Sequence, residues 1–423
     1  MNIYYNVIRL LASYQNNLAK TGIYRYTHEL LFALAKQTNI KVIPTLLEYS
    51  NILDAHNYNT FMEIPLFSTF VSTFVNVKSR YGLYAFYNRY ENELKPRLSK
   101  KIASRINKLL KIFTHIDTLN ISLPNDADIF HSTYDPLPNR KYTGRAIRVL
   151  TIHDLIAKKF PEYFTEHYWK WMDKILASID PKHDWVICDS NCTRSDILNF
   201  RNLDPKKVIT VPLAGSDKFH KVEGNDYAKN LVKKYNLSWK EYFISVATLE
   251  PRKNIKRLIE SFALSLTNPA MKNKKLALIG AMGWGEKDLM ELCQNISGKY
   301  KKNIISLGFA SDNDIAYLYN GALGCAYISL YEGFGLPILE AMQCGIPVIT
   351  SNVSSMPEVA GEAGIYIDHR DRESIKDAIV HIAENGDYRN IMSIKSMKQA
   401  ATFSWERTAN ETIAVYETAL KSR

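Results

Sequence analysis

Residues 331–340 read YEGFGLPILE. Just upstream, 325–330 (CAYISL) is a short apolar run of strand character. Just downstream, 336–344 has helical spacing, with Pro337 in its first turn, where a missing N–H costs nothing. The pattern is therefore strand, glycine-bearing turn, helix. Gly333 and Gly335 let a ligand come close to the backbone. Free N–H groups at the head of the helix, reinforced by its macrodipole, favour a phosphate there. Glu332 stands in the turn, placed to accept hydrogen bonds from sugar hydroxyls. Glu340 lies about one turn into the helix, where a carboxylate can take both hydroxyls of a ribose. The alternative is a plain strand–helix turn with solvated carboxylates. Two spaced acids together with the helix-start proline favour the ligand site.

The same alternation continues to either side. Segments 242–247 (YFISVA), 275–280 (KLALIG), 304–307, 347–351 and 364–367 read as strands. Segment 254–266 reads as a helix with Ile255, Leu258, Ile259 and Phe262 on one face, and 312–320 as another, capped by Ser311 or Asp312. This order predicts a mostly parallel sheet covered on both faces. The first half alternates less cleanly, with a helix at 23–36 and strands at 41–46, 129–132, 149–152, 185–189 and 208–211. Between them, 49–128 is rich in aromatic and basic residues such as Arg80, Tyr84, Arg89 and Tyr90, and reads as a helical insertion. A boundary falls near 215–226, and 405–420 is an amphipathic helix. The expected class is α/β, with two Rossmann-like domains at 1–218 and 219–403 and a terminal helix at 404–423.

Two more segments carry chemistry. TLEPRKN (248–254) follows a strand directly, so Arg252 and Lys253 sit at a carboxyl strand end, before a helix capped by Asn254. Two cations at a helix N-terminus are unfavourable unless an anion lies between them. A diphosphate supplies it; a solvated basic turn is the alternative. TIHDL (151–155) ends a strand of the first half with His153 and Asp154, and His153 can donate to a sugar hydroxyl or a phosphate oxygen. Thr21 and Gly22 precede the helix at 23–36, and Gly22 permits close approach of the reacting sugar or acceptor.

Composition bounds the rest. The net charge of +11 over 423 residues suits an anionic partner or surface, or simple solubility. The five cysteines have no metal spacing and read as reduced, packed thiols. MNIYYNVIRLL has no basic start followed by a long apolar run, so no signal peptide is expected. The most apolar stretch, 61–77, falls short of the ~20 apolar residues of a spanning helix. No G-x-G-x-x-G follows the first strand, which argues against a nicotinamide dehydrogenase. A nucleic-acid binder would explain the charge but not the glutamate pair. A nucleotide-sugar epimerase and a non-catalytic scaffold remain as alternatives.

Taken in order, TGIYRYTHELL, VLTIHDL, VICDSNCTRSDI, VITVPLAGSD, ISVATLEPRKN, LALIG and YEGFGLPILEAMQCGIPVITSN resemble family 4 of the retaining glycosyltransferases. The match is dense over 149–368 and weak across 49–128. The resemblance implies the GT-B fold: two Rossmann-like domains facing across a cleft, with the last helix crossing back to the first domain. It implies a catalytic set of His153, Arg252, Lys253 and Glu332. Its donor-binding set would be Gly22, Asp154, Arg252, Lys253, Gly333, Phe334, Gly335, Leu336 and Glu340. Arg252 and Lys253 would bind the diphosphate, Glu332 and His153 the transferred sugar, and Glu340 the ribose. It implies no divalent metal and no cofactor beyond a nucleotide diphosphate sugar. The implied acceptor is a glycan or lipid-linked glycan, and the implied place is the cytoplasm, at the inner face of the membrane if the basic insertion contacts it. The runs TGIYRYT and VATLEPRKN look most like mannosyl- or deoxyhexosyl-transferases of bacterial surface polysaccharide, which points to GDP-mannose; UDP- and dTDP-sugars stay open. One departure stands out: the family often has Asn-Gly-Val-Asp where this chain has Leu213–Ala214–Gly215–Ser216–Asp217.

Overall fold

The structure, a computed structural model, describes residues 1–10, 22–45, 122–281 and 302–423. Thr21, Cys293 and most of the 49–128 insertion lie outside the described residues. Among the described residues are two parallel sheets of six strands each, in orders β2-β1-β3-β4-β5-β6 and β12-β11-β10-β7-β8-β9. The first sheet comprises β1 (Asn2–Asn6), β2 (Lys41–Thr45), β3 (Ile129–Ser132), β4 (Ile147–Ile152), β5 (Trp185–Cys188) and β6 (Val208–Thr210). The second comprises β7 (Tyr242–Val246), β8 (Lys275–Ile279), β9 (Ile304–Gly308), β10 (Gly324–Tyr327), β11 (Val348–Ser351) and β12 (Gly364–Ile367). The helices used below are α1 (Gly22–Ala35), α2 (Asn191–Phe200), α3 (Ile255–Ser265), α4 (Asp312–Gly321), α5 (Leu336–Gln343), α6 (Gly386–Ala400) and α7 (Trp405–Lys421).

Strand β1 was not among the expected strands. It lies one strand in from the edge of the first sheet, between β2 and β3, and its residues Ile3, Tyr4 and Tyr5 are buried. A parallel strand covered on both faces needs no polar alternation, so NIYYN gives only a weak local signal. Strand β10 stops at Tyr327, short of the expected end at Leu330. The chain past Tyr327 bends into the loop that carries Glu332.

Leu123 and Ala127, at the end of the expected insertion, are buried in the core of the first domain. An apolar cluster joins the two halves. It runs from Tyr5 and Val149 through Leu30 and Leu34 of α1 and Ile413 and Tyr416 of α7 to Tyr319, Ile338 and Leu339 of the second domain. Helix α7 lies on α1, with Tyr26 and Trp405 rings 6.3 Å apart and Thr408 donating to the Pro212 carbonyl at 2.8 Å. The chain thus crosses from the second domain back to the first.

Cys188, Cys325 and Cys344 are buried free thiols, and Cys192 is half-buried and free. Among the described residues, no helix is long and apolar enough to cross a membrane.

Candidate functional site

In the second sheet, β8 and β9 lie to one side of β7, and β10, β11 and β12 lie to the other. The strand order therefore reverses between β7 and β10, which pair directly through Gly324–Phe243 and Cys325–Ile244. A crevice opens at the carboxyl ends of two such strands. The loop after β7 carries Arg252 and Lys253, and the loop after β10 carries Glu332. Topology alone thus brings together side chains about 80 positions apart in sequence.

Asn254 does not cap α3 through its side chain, contrary to the sequence expectation. It adopts a left-handed conformation, φ 58°, at the end of the short Pro251–Lys253 turn. Asn tolerates that region better than most residues. Its amide nitrogen instead donates to the carbonyls of Ile328, at 3.2 Å, and His369, at 2.8 Å. The Asn254 side chain therefore ties the cationic turn to the end of β10.

The cluster that results is compact. Arg252 Nη1 donates to Glu332 Oε2 at 2.8 Å and to the Tyr331 carbonyl at 2.9 Å, while Nη2 donates to Glu250 Oε1 at 2.6 Å. Lys253 Nζ donates to Glu332 Oε1 at 2.6 Å and to the Tyr327 hydroxyl at 2.8 Å. Within the chain, Glu332 is the carboxylate that both cations share. Burial alone would raise the Glu332 pKa, but Lys253 and Arg252 outweigh it and bring it down to about 2. Glu332 is therefore ionised at neutral pH: it accepts hydrogen bonds and is not a proton donor. Burial lowers the Lys253 pKa, and Glu332 only partly offsets this. Asp154 faces the same cluster; burial raises its pKa, and its Oδ1 accepts the Ile156 N–H at 3.0 Å.

His153 is held on both sides. Nδ1 meets Asp189 Oδ2 at 2.5 Å, and Nε2 meets the Thr133 carbonyl at 2.8 Å. Both partners offer oxygen acceptors, and together they fix the orientation of the ring. Burial pulls the His153 pKa down, but Asp189 and the two hydrogen bonds raise it overall. A contact from His153 to a sugar requires the Thr133 bond to be exchanged.

Two of the glycines, Gly333 and Gly22, meet residues across the domain boundary. A Cβ on Gly333 would lie 2.1 Å from the His153 carbonyl oxygen. Its missing side chain admits the backbone of the other domain. Ser190 Oγ donates to the Gly333 carbonyl at 2.7 Å across the same boundary. Gly335 has φ 114° and starts α5, a conformation open to glycine. Gly22 heads α1 and lies against Leu336, its virtual Cβ 3.6 Å from Cδ1, so the heads of α1 and α5 meet across the domain boundary. Phe334 is buried and packs edge-on against Phe403, with centroids 5.9 Å apart. Leu336 and Glu340 border a cavity of about 160 Å³, together with Tyr24, Arg25, Asp312 and Trp405.

Several contacts between the two halves had no signal in the sequence. Arg25 of α1 forms an ion pair with Glu340, 315 positions away, and with Asp312. The Glu358 carboxylate accepts the N–H groups of Asn191 and Cys192, at 2.7 and 2.8 Å, at the head of α2. Tyr331 donates to Asp196 at 2.6 Å, and Lys159 donates to the Tyr331 hydroxyl at 2.8 Å. In the departing segment, Gly215 packs so close to Gln343 that a Cβ there would lie 2.0 Å from Oε1, and its carbonyl accepts Trp405 Nε1 at 3.0 Å. Among the described residues, no group of three or more His, Cys, Asp or Glu is arranged to hold a metal ion.

Residues 213–399 match the family model of glycosyl transferases group 1. The O-antigen chain mannosyltransferase B of Escherichia coli is 35% identical over 289 residues, covering 68% of this chain and 74% of that one. The serotype-specific mannosyltransferase WbdA of Escherichia coli is 28% identical over 283 residues; the match covers 65% of this chain but only 34% of WbdA. Among solved structures, WaaG, a glycosyltransferase involved in lipopolysaccharide biosynthesis, aligns over 97% of this chain and 98% of its own, with TM-score 0.61 and 15% identity. HepE of Anabaena, in complex with UDP and glucose, aligns over 99% and 100%, with TM-score 0.62 and 16% identity. These two likenesses establish a shared two-domain fold.

Proposed function

The chain belongs to the group 1 glycosyl transferases, and from that premise we propose that it transfers mannose from GDP-mannose to a glycan or lipid-linked glycan, with retention at the anomeric carbon. The observation that carries this reading is the Arg252–Lys253–Glu332 cluster beside the head of α5. An incoming diphosphate takes the N–H groups of Arg252 and Lys253 as its counter-charge. Glu332, already ionised, turns its oxygens to the hydroxyls of the transferred sugar. The bond from the anomeric carbon to the diphosphate breaks as the acceptor oxygen bonds on the same face. The departing β-phosphate oxygen takes the acceptor proton. No carboxylate nucleophile is needed, unlike in retaining glycosidases. The protein positions the reactants and stabilises charge on the leaving group. No metal is assigned a role. The mannosyl donor is supported by the 35% identity with the O-antigen chain mannosyltransferase.

We further propose that the reaction takes place in the cytoplasm, at the inner face of the membrane through the basic residues of 49–128. Sedimentation with anionic liposomes at low salt tests that placement. The transfer itself is tested with GDP-mannose, UDP-glucose and dTDP-rhamnose against a lipid-linked glycan extract, with products read by mass spectrometry and anomeric NMR. GDP-mannose is expected to give an α-mannosylated product and GDP. Transfer from only a UDP- or dTDP-sugar overturns the donor, an inverted linkage overturns retention, and turnover of none of the three overturns the reading.

A further inference from the structure

Arg25 is a cation that this mechanism does not use. It lies in the first turn of α1, in the first domain. Its guanidinium reaches into the second domain, bonding Glu340 Oε1 through Nη1 and Asp312 Oδ1 through Nη2, the latter at 2.6 Å. The two acids come from different helices, α5 and the first turn of α4. One planar fork holds both, which a point-like ammonium cannot do in the same way. The Glu340 side chain is 6% exposed and that of Arg25 21%. Arg25 engages one oxygen of Glu340, and the cavity shared by Arg25, Asp312, Leu336 and Glu340 opens beside it.

Without Arg25, the two acids would lose the cation that they share. Burial and Asp312 both push the Glu340 carboxyl upward, and Arg25 acts against them. Tyr319, Cys325 and Cys344 surround Glu340 without offering a cation. Lys218 reaches only Asp312, at 3.8 Å. The orientation of Glu340 and the counter-charge beside it thus depend on a side chain from the opposite domain.

We propose that Arg25 is a positioning residue for the donor nucleoside, holding Glu340 and Asp312 across the domain boundary so that Glu340 faces the ribose hydroxyls. This rests on Glu340 being the ribose carboxylate in the reading above. The pyrophosphate is bound elsewhere, by Arg252 and Lys253. Arg25 therefore acts on the nucleoside and not on the phosphates.

Calorimetric titration of the full chain with GDP, UDP and inorganic pyrophosphate separates these contributions. The variants are Arg25→Gln, Arg25→Lys and Glu340→Gln, and the double change at both positions; circular dichroism and melting check that each folds. Arg25→Gln is expected to weaken the preferred nucleoside diphosphate about tenfold or more, equivalent to about 1.4 kcal/mol. Pyrophosphate affinity is expected to change less than about twofold. Arg25→Lys is expected to fall in between, and the double variant to bind no more weakly than Glu340→Gln alone. If Arg25→Gln fails to fold, Arg25→Lys carries the same comparison between nucleotide and pyrophosphate. Unchanged nucleotide affinity overturns the proposal. So does equal weakening of nucleotide and pyrophosphate, which would assign Arg25 to the phosphates or to the fold. A wild-type chain that binds no nucleoside diphosphate overturns the donor reading itself, an outcome distinct from failure of the variants alone.

Discussion

Replacing Arg252 with alanine separates the structural part of the cationic cluster from its catalytic part. Arg252 donates to Glu332, Glu250 and the Tyr331 carbonyl, and its side chain is only 12% exposed. Removing one partner of a buried ion pair costs about 3–5 kcal/mol, because the other charge is left behind. Glu332 keeps Lys253 and Tyr327, so the loss in stability belongs at the low end, about 3 kcal/mol. The catalytic cost is separate. Loss of one preorganised donor aimed at developing negative charge lowers the rate about 10²- to 10³-fold, or roughly 2.7–4 kcal/mol. Glu250→Gln is the control. It removes the Glu250 carboxylate from Arg252 but leaves the guanidinium on Glu332. It is expected to lower the melting temperature while keeping kcat/KM within about threefold, under 1 kcal/mol. Melting by calorimetry and steady-state transfer from GDP-mannose, at a temperature where all three chains are folded, read both quantities. Arg252→Ala with kcat/KM within threefold of wild type would refute the leaving-group role. An Arg252→Ala loss matched by Glu250→Gln would show that activity follows stability alone.

Three more outcomes are expected. Gly333→Ala places a Cβ 2.1 Å from a backbone oxygen of the other domain, which cannot swing aside, so the domains should part there; kcat/KM should fall about tenfold or more and the scattering radius should grow, and wild-type values of both would sink the idea. His131 is buried between Tyr416 and Thr151, and burial pushes its pKa down to about 3. The unfolded chain takes a proton there near pH 6.5 and the folded chain refuses it, so this stability is full above pH 6.5 and drains as the pH falls towards 3. About 2 kcal/mol should be gone by pH 5; urea unfolding of wild type and His131→Gln measures it, and equal pH slopes would refute it. Activity should survive EDTA, whereas loss restored by added Mg²⁺ or Mn²⁺ would require a metal.

How much of the site was legible depends on how far each partner lies along the chain. The head of α5 was legible because a positive-φ glycine, Gly335, and Pro337 at the helix start are local requirements. Arg252 and Lys253 were legible as a pair because like charges at a strand end demand an anion. Their partner within the chain, Glu332, was not legible as such, because it arrives from the neighbouring strand at the topological reversal. Asn254 misled for a related reason. Its sequence context fits a cap, but the tertiary setting rewards its amide for bridging to Ile328 and His369. Strand β1 escaped because burial on both faces removes the alternation that would have marked it.

From composition, periodicity and glycine placement, the chain by itself determined an α/β architecture with parallel sheets and a glycine-bearing strand–helix turn in its second half. Those features follow from backbone geometry and from the spacing of apolar side chains, which act over a few residues. Only the packed molecule decided that Gly333 serves domain contact, that His153 is saturated by Asp189 and Thr133, and that Arg25 joins Glu340 to Asp312. Each of these joins segments that local spacing cannot relate. Electrostatics and close packing act through space, and the fold sets which distant groups share that space.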